Sequence, residues 1–220
     1  MPALEINVRG SARENFTPER ALVHLRAETS GAERDSVYRD AVAVQARLAG
    51  ELDGLVGRSA VTTWSAGTVH VYSYRPYDKN GNRRDLVYTT DIGVDAEFVD
   101  VDELNRFIDV WAVEPGVSVD GIRWDLTEES RRRHEAQLRA DAVGDAVLKA
   151  QAYADAVGRG RVVPVQLADP DMLADPSPVA RGMMLAGAPS GADGGPALDL
   201  RARDIELSVQ VDARFVVEPD

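Results

Sequence analysis

The chain contains no cysteine, which excludes disulfides, thiolate zinc sites and cysteine nucleophiles together. Histidine is scarce as well, with three in 220 residues, so there are few candidates for a zinc ligand or a neutral-pH general base. Lysine is nearly absent. Lys79 and Lys149 are the only two among 25 basic residues, a bias that genome composition explains more simply than function. No apolar run approaches the roughly 20 residues that a membrane-spanning helix requires. The opening MPALEINVRGSARENF alternates apolar and polar residues and lacks the basic region and apolar stretch of a signal peptide. The expected setting is therefore cytoplasmic, without membrane insertion. Positive charge is in deficit: 37 acidic residues against 25 basic give a formal net charge of -12. Such a field repels nucleic acid and anionic lipid. The one dense basic run, Arg131-Arg132-Arg133, is flanked by acidic residues on both sides, so no nucleic-acid partner is expected.

What is present reads as an α+β protein: a mainly antiparallel sheet with a long β-hairpin, and helices packed on one face. Leu4, Ile6 and Val8 alternate with polar residues, the period of a half-buried strand. A connection is expected over Gly10–Pro18, and Val23, Leu25 and Ala27 then resume the alternation. From about Glu33 to Leu55 the apolar positions Val37, Ala41, Val44, Leu48, Leu52 and Leu55 step by three or four, one stripe of a helix. Two long strands follow, roughly Ala60–Arg75 and Asp85–Val99. Between them Asp78-Lys79-Asn80-Gly81-Asn82 carries the Asn-Gly pair that favours a hairpin, because both residues tolerate positive φ. A short helix over Val101–Val113 presents Leu104, Phe107, Ile108 and Trp111, with Asp100 or Asp102 as its cap. A strand at Val117–Leu126 precedes the longest helix, reaching about Val157 and capped by Thr127 or Ser130. Its apolar face reads Ala136, Ala140, Val143, Val147, Ala150, Ala154 and Val157. Strands at Val162–Leu167 and Ile205–Val217 complete the pattern. The whole chain, 1–220, is expected to form a single domain with a flexible Pro/Gly-rich loop at about 168–197.

The stretches INVRGSARENFTPERALVHLRAET, VTTWSAGTVHVYSYRPYDKNGNRRDLVYTTDIGV, GIRWDLTEESRRRHEAQLRADAVGDAVLKAQAYADAVG and IELSVQVDARFVV resemble the SIMPL-domain family in order and spacing, over nearly the full chain. The third is the most specific, with a strand, a short polar cap and an alanine-rich helix patterned as Ala140, Ala142, Asp145, Ala146, Lys149, Ala150 and Ala154. The resemblance implies the same α+β fold. Family members include exported bacterial envelope proteins, some forming ring-like oligomers, and an animal signalling protein associated with a kinase. The resemblance therefore implies a homo-oligomer or another protein partner. It implies no catalytic residues, because none is established for the family.

No motif supplies chemistry. His24, His70 and His134 lack the close spacing of a zinc site, although His24 and His70 have the option of converging in space. Asp169, Asp171 and Asp175 lack the alternating oxygens and the glycine of a calcium loop. Neither Gly-x-Ser-x-Gly nor a Walker loop occurs. The expectation is a non-enzyme with no cofactor or metal. Two segments stand out as interaction candidates. Tyr72, Tyr74 and Tyr77 lie near Arg75, Arg83 and Arg84 around the hairpin, and tyrosine and arginine are enriched at binding hot spots. Met183 and Met184 form a short apolar patch inside the Pro/Gly-rich loop. The leading reading is an oligomeric assembly or protein-interaction module. The alternative is a small-molecule-binding protein with the 168–197 loop as a lid. An enzyme using His70 or His134 ranks last.

Overall fold

The computed structural model describes residues 4–173 and 200–217. The fold is α+β, as the alternation indicated, with seven strands in two antiparallel sheets and three helices. By its internal packing the chain divides into two compact units, each built on one of the sheets. From residue 174 on, the expected 168–197 loop lies outside the described residues.

One unit contains β1 (Glu5–Phe16), α3 (Glu128–Ala156), β6 (Val162–Ala168) and β7 (Ile205–Val217). Its strands run in the order β1-β7-β6. The expected connection from Gly10 is instead strand as far as Phe16, paired residue for residue with β7 from Glu5↔Val216 to Phe16↔Ile205. Gly10 has a packing role within that strand. A Cβ there would lie 2.0 Å from the Ala142 carbonyl oxygen and 2.8 Å from the Ala146 Cβ, so only glycine lets α3 approach this closely. The buried face of α3 follows from that contact: Ala142, Ala146, Ala150 and Ala154 are fully buried. This corrects the expected face, of which only Ala150 and Ala154 belong to the stripe, while Ala136, Ala140 and Val147 are exposed. Phe215, Val217, Ala213 and Val162 fill the space between helix and sheet.

The other unit contains β2 (Arg20–Gly31), α1 (Arg34–Gly57), β3 (Val61–Tyr74), β4 (Val87–Phe98), α2 (Val101–Trp111) and β5 (Val117–Asp125). Its strands run in the order β3-β4-β2-β5, so β3 and β5 are the edges. The inward residues Val23, Leu25, Val94 and Phe98 pack against Ala41, Val44, Leu48, Leu52 and Leu55 of α1 and Leu104, Phe107, Ile108 and Trp111 of α2. Every position of the expected α1 stripe is buried. Asp100 caps α2, its carboxylate accepting from the amides of Asp102 (2.9 Å) and Glu103 (3.0 Å). Thr127 caps α3 in the first unit through the Ser130 amide at 3.3 Å.

Candidate functional site

The face of the four-stranded sheet turned away from α1 and α2 carries the unit's cross-strand charge pairs. On β2, Arg20 bonds Glu97 of β4 at 2.8 Å and Asp125 of β5 at 3.1 Å. His24 places Nδ1 on an Asp95 carboxylate oxygen. Arg26 grips Asp120 through two 2.8 Å bonds, and the first effect of that grip is to hold the Asp120 carboxyl below its ordinary range. Opposite charges set directly across strands stabilise a sheet. His24 and His70 converge, as the sequence allowed: both line one open depression of about 600 Å³ with Arg26, Asp91, Asp95 and Asp120. The His24–Asp95 side chains are 54% and 59% exposed, and a polar contact so wetted contributes about 0–1 kcal/mol at most. His134 is elsewhere, stacked on Phe16 at 3.8 Å between ring centroids in the first unit. Among the described residues, no group of three or more His, Cys, Asp or Glu is placed to hold a metal ion. Asp171 instead belongs to an ion-pair group in which Arg9 joins it (2.8 Å) to Asp212 (2.6 Å); Asp175 lies outside the described residues.

The hairpin gathers most of the candidate residues. Tyr72 and Tyr74 fall opposite Thr89 and Val87 of β4 and share one face of β3, each half exposed. Val69 and Val71 alternate with them on the opposite face and are 45% and 38% exposed. Every β3 residue from Ser65 to Tyr74 is exposed, so this strand presents both faces to solvent. At the tip, Gly81 adopts φ 79°, the positive value that the Asn-Gly signal anticipates. Asp78 organises the turn: its Oδ1 accepts from the Asn80 and Asn82 amides at 2.8 Å each, and its Oδ2 accepts from the Asn82 side chain at 3.1 Å. The backbone bond from Asn82 is the main reason the Asp78 carboxyl stays below its ordinary range. Tyr77 and Arg83 form an isolated bridge, with Arg83 donating to the Tyr77 hydroxyl at 3.2 Å. The Arg84 amide bonds the Pro76 carbonyl, and Arg75 reaches the Arg84 carbonyl. Met183 and Met184, the other interaction candidates, lie outside the described residues.

The sequence reading missed the free edge of β3. VTTWSAGTVHVYSY holds no Asp, Glu, Lys or Arg over 14 residues, and no strand pairs with its second edge among the described residues. The missing charge was visible in the sequence; the edge position was not, because strand order is a property of the folded sheet.

The SIMPL family model, described as a protein of unknown function, matches residues 6–215. The chain belongs to the SIMPL family. The match takes in nearly all of β1 and of β7, and so runs through both units. No curated protein matches the chain. Among the described residues, no helix of this SIMPL protein is long and apolar enough to cross a membrane.

Proposed function

We propose that this SIMPL protein acts by binding protein chains, as a non-enzymatic assembly module, and that the β3–β4 hairpin is the part that binds. The observation that carries the reading is the exposure of β3 on both faces and along one edge. Half-exposed Tyr72 and Tyr74 and exposed Tyr77 extend from it. Long, uncharged, uncovered edges template pairing with other strands, and proteins ordinarily defend them with charge, proline or a cover. Tyrosine and arginine at the tip add the side chains most enriched at binding hot spots. The charge ladder on the neighbouring sheet face fits a structural role, since its side chains pair with one another across strands.

The test is size-exclusion chromatography with light scattering on the full chain, beside a variant in which Tyr77–Arg84 is replaced by a two-residue turn. A mass above the monomer at micromolar concentration that falls in the variant supports the reading. A strict monomer, unchanged by the deletion, counts against it.

A further inference from the structure

The undefended edge also identifies its occupant. We propose that two copies of this chain pair antiparallel along β3, about a twofold axis near Val71, joining their four-stranded sheets into one continuous sheet. The inference rests on the assembly reading above and names its partner.

Comparison of the four sheet edges selects β3. β1 carries Glu5, Arg9, Arg13 and Glu14, and side chains of α3 occupy its edge: Asp145 accepts the Ser11 amide at 2.8 Å, and Lys149 donates to the Arg9 carbonyl at 3.0 Å. β6 is seven residues long, with Pro164 inside it and an irregular register there. β5 holds Asp120, Arg123 and Asp125 and an irregularity against β2. Charge, proline, bulges and shortness are the devices that block strand addition. β3 has register irregularities between Val61 and Thr63 and between Ala66 and Val69, and beyond the second a regular, uncharged run to Tyr74.

Charge then favours a second copy. Each chain carries a formal -12, which opposes self-association over most of the surface. Along β3 no carboxylate meets a carboxylate. The two ends of the hairpin differ in sign: the tip carries Arg75, Lys79, Arg83 and Arg84 against Asp78 and Asp85. Toward the other end, Asp95 and Glu97 of β4 lie opposite Ser65 and Thr63. Antiparallel pairing brings the basic tip of each copy toward Asp95 and Glu97 of the other, beside the His24 and Arg20 that already contact them; parallel pairing would set basic tip against basic tip.

Geometry is consistent with an isologous contact. A twofold axis perpendicular to the sheet keeps equivalent faces on the same side. With the axis at Val71, Val69 faces Ser73 of the second copy and His70 faces its Tyr72. The Val69 and Val71 side chains of both copies then form one apolar strip. That strip borders the open hollow of about 690 Å³ that Val71 shares with Arg34, Asp35, Tyr38 and Arg39.

The absence of native cysteine makes disulfide trapping a direct test. Directly opposed residues of an antiparallel pair lie within disulfide reach. Val71→Cys, mildly oxidised at micromolar concentration, is expected to give a covalent dimer at least about tenfold more abundant than Ser118→Cys on β5. A second variant, Val71→Lys, places two ammonium groups opposite each other and is expected to weaken dimerisation by roughly tenfold or more, with the circular dichroism of the fold retained. If the wild-type chain is oligomeric but Val71→Cys cross-links no better than Ser118→Cys, and Val71→Lys leaves the mass unchanged, self-pairing along β3 is overturned while the assembly reading survives. If the wild-type chain is strictly monomeric throughout, both fall.

Discussion

β1 and β3 are edge strands of similar length, 12 and 14 residues, and they meet solvent in opposite ways. β1 lies under α3, pressed so close that Gly10 leaves no room for a methyl group, and Lys149 and Asp145 occupy its edge groups. β3 is bare on both faces through its last ten residues, from Ser65 to Tyr74. On β1 side chains of the same unit take up the Ser11 amide and the Arg9 carbonyl, whereas among the described residues no strand pairs with the second edge of β3. An unpaired edge keeps hydrogen-bonding capacity available for another chain. The difference separates a strand held under a helix from one that anchors in the core at Val61 and lies open from Ser65 to Tyr74.

The largest effect should come from breaking the closed side. Gly10→Ala puts a methyl group against backbone at Ala142, and backbone cannot swing aside as a flexible side chain can. Separation of α3 from the sheet should cost about 3 kcal/mol or more, read as a lowered urea midpoint for the transition reported by β1 and α3. No such loss would mean that the close approach is dispensable. A smaller effect is expected from exposing the β1 edge. Lys149→Ala with Asp145→Ala removes the bonds to Arg9 and Ser11 while leaving the alanine stripe intact, and should cost about 1 kcal/mol. Hydrogen exchange at the Ser11 amide should accelerate with it. Acid should mimic the change. The folded Asp145 carboxyl sits below its ordinary range, chiefly through Lys149 and then the Ser11 amide. Its contribution is thus complete above the ordinary carboxylate value near 4 and is lost as pH falls through the lower folded value.

The same contrast explains what the sequence could disclose. The α1 stripe from Val37 to Leu55, the Asp100 cap and the Gly81 turn were legible because each is local, set by helical period or by the φ that one residue must adopt. The α3 face was misread because the helix has alanine or valine on several sides. Which alanines are buried depends on Gly10, more than 130 positions away in the chain. For the same reason Gly10 looked like the start of a connection. Tyr72, Tyr74, Tyr77 and Arg83 were singled out by residue type, and they lie on one hairpin. The charge-free edge itself depends on the order β3-β4-β2-β5, which pairs strands distant in sequence, and the convergence of His24 on His70 has the same origin.

On the open side, substitution should scarcely affect the fold. Val71→Lys replaces an exposed side chain and should change stability by no more than about 0.5 kcal/mol. A measured loss of several times that amount would show that β3 is structural after all, and the contrast with β1 would fail. Smaller still is the expected effect at the tip. Asp78→Ala removes the acceptor for Asn80 and Asn82 from a turn exposed from Lys79 to Asn82, so the melting temperature should hold while amide exchange at those two positions rises. Lowering the pH should reproduce that exchange pattern in the wild-type chain. The carboxylate is held below its ordinary range when folded, so protection persists above the ordinary value and disappears as pH falls through the depressed one. If Asp78→Ala lowered the melting temperature as well, order at the tip would be coupled to the sheet, and β3 could not be regarded as a strand the fold holds out at little cost.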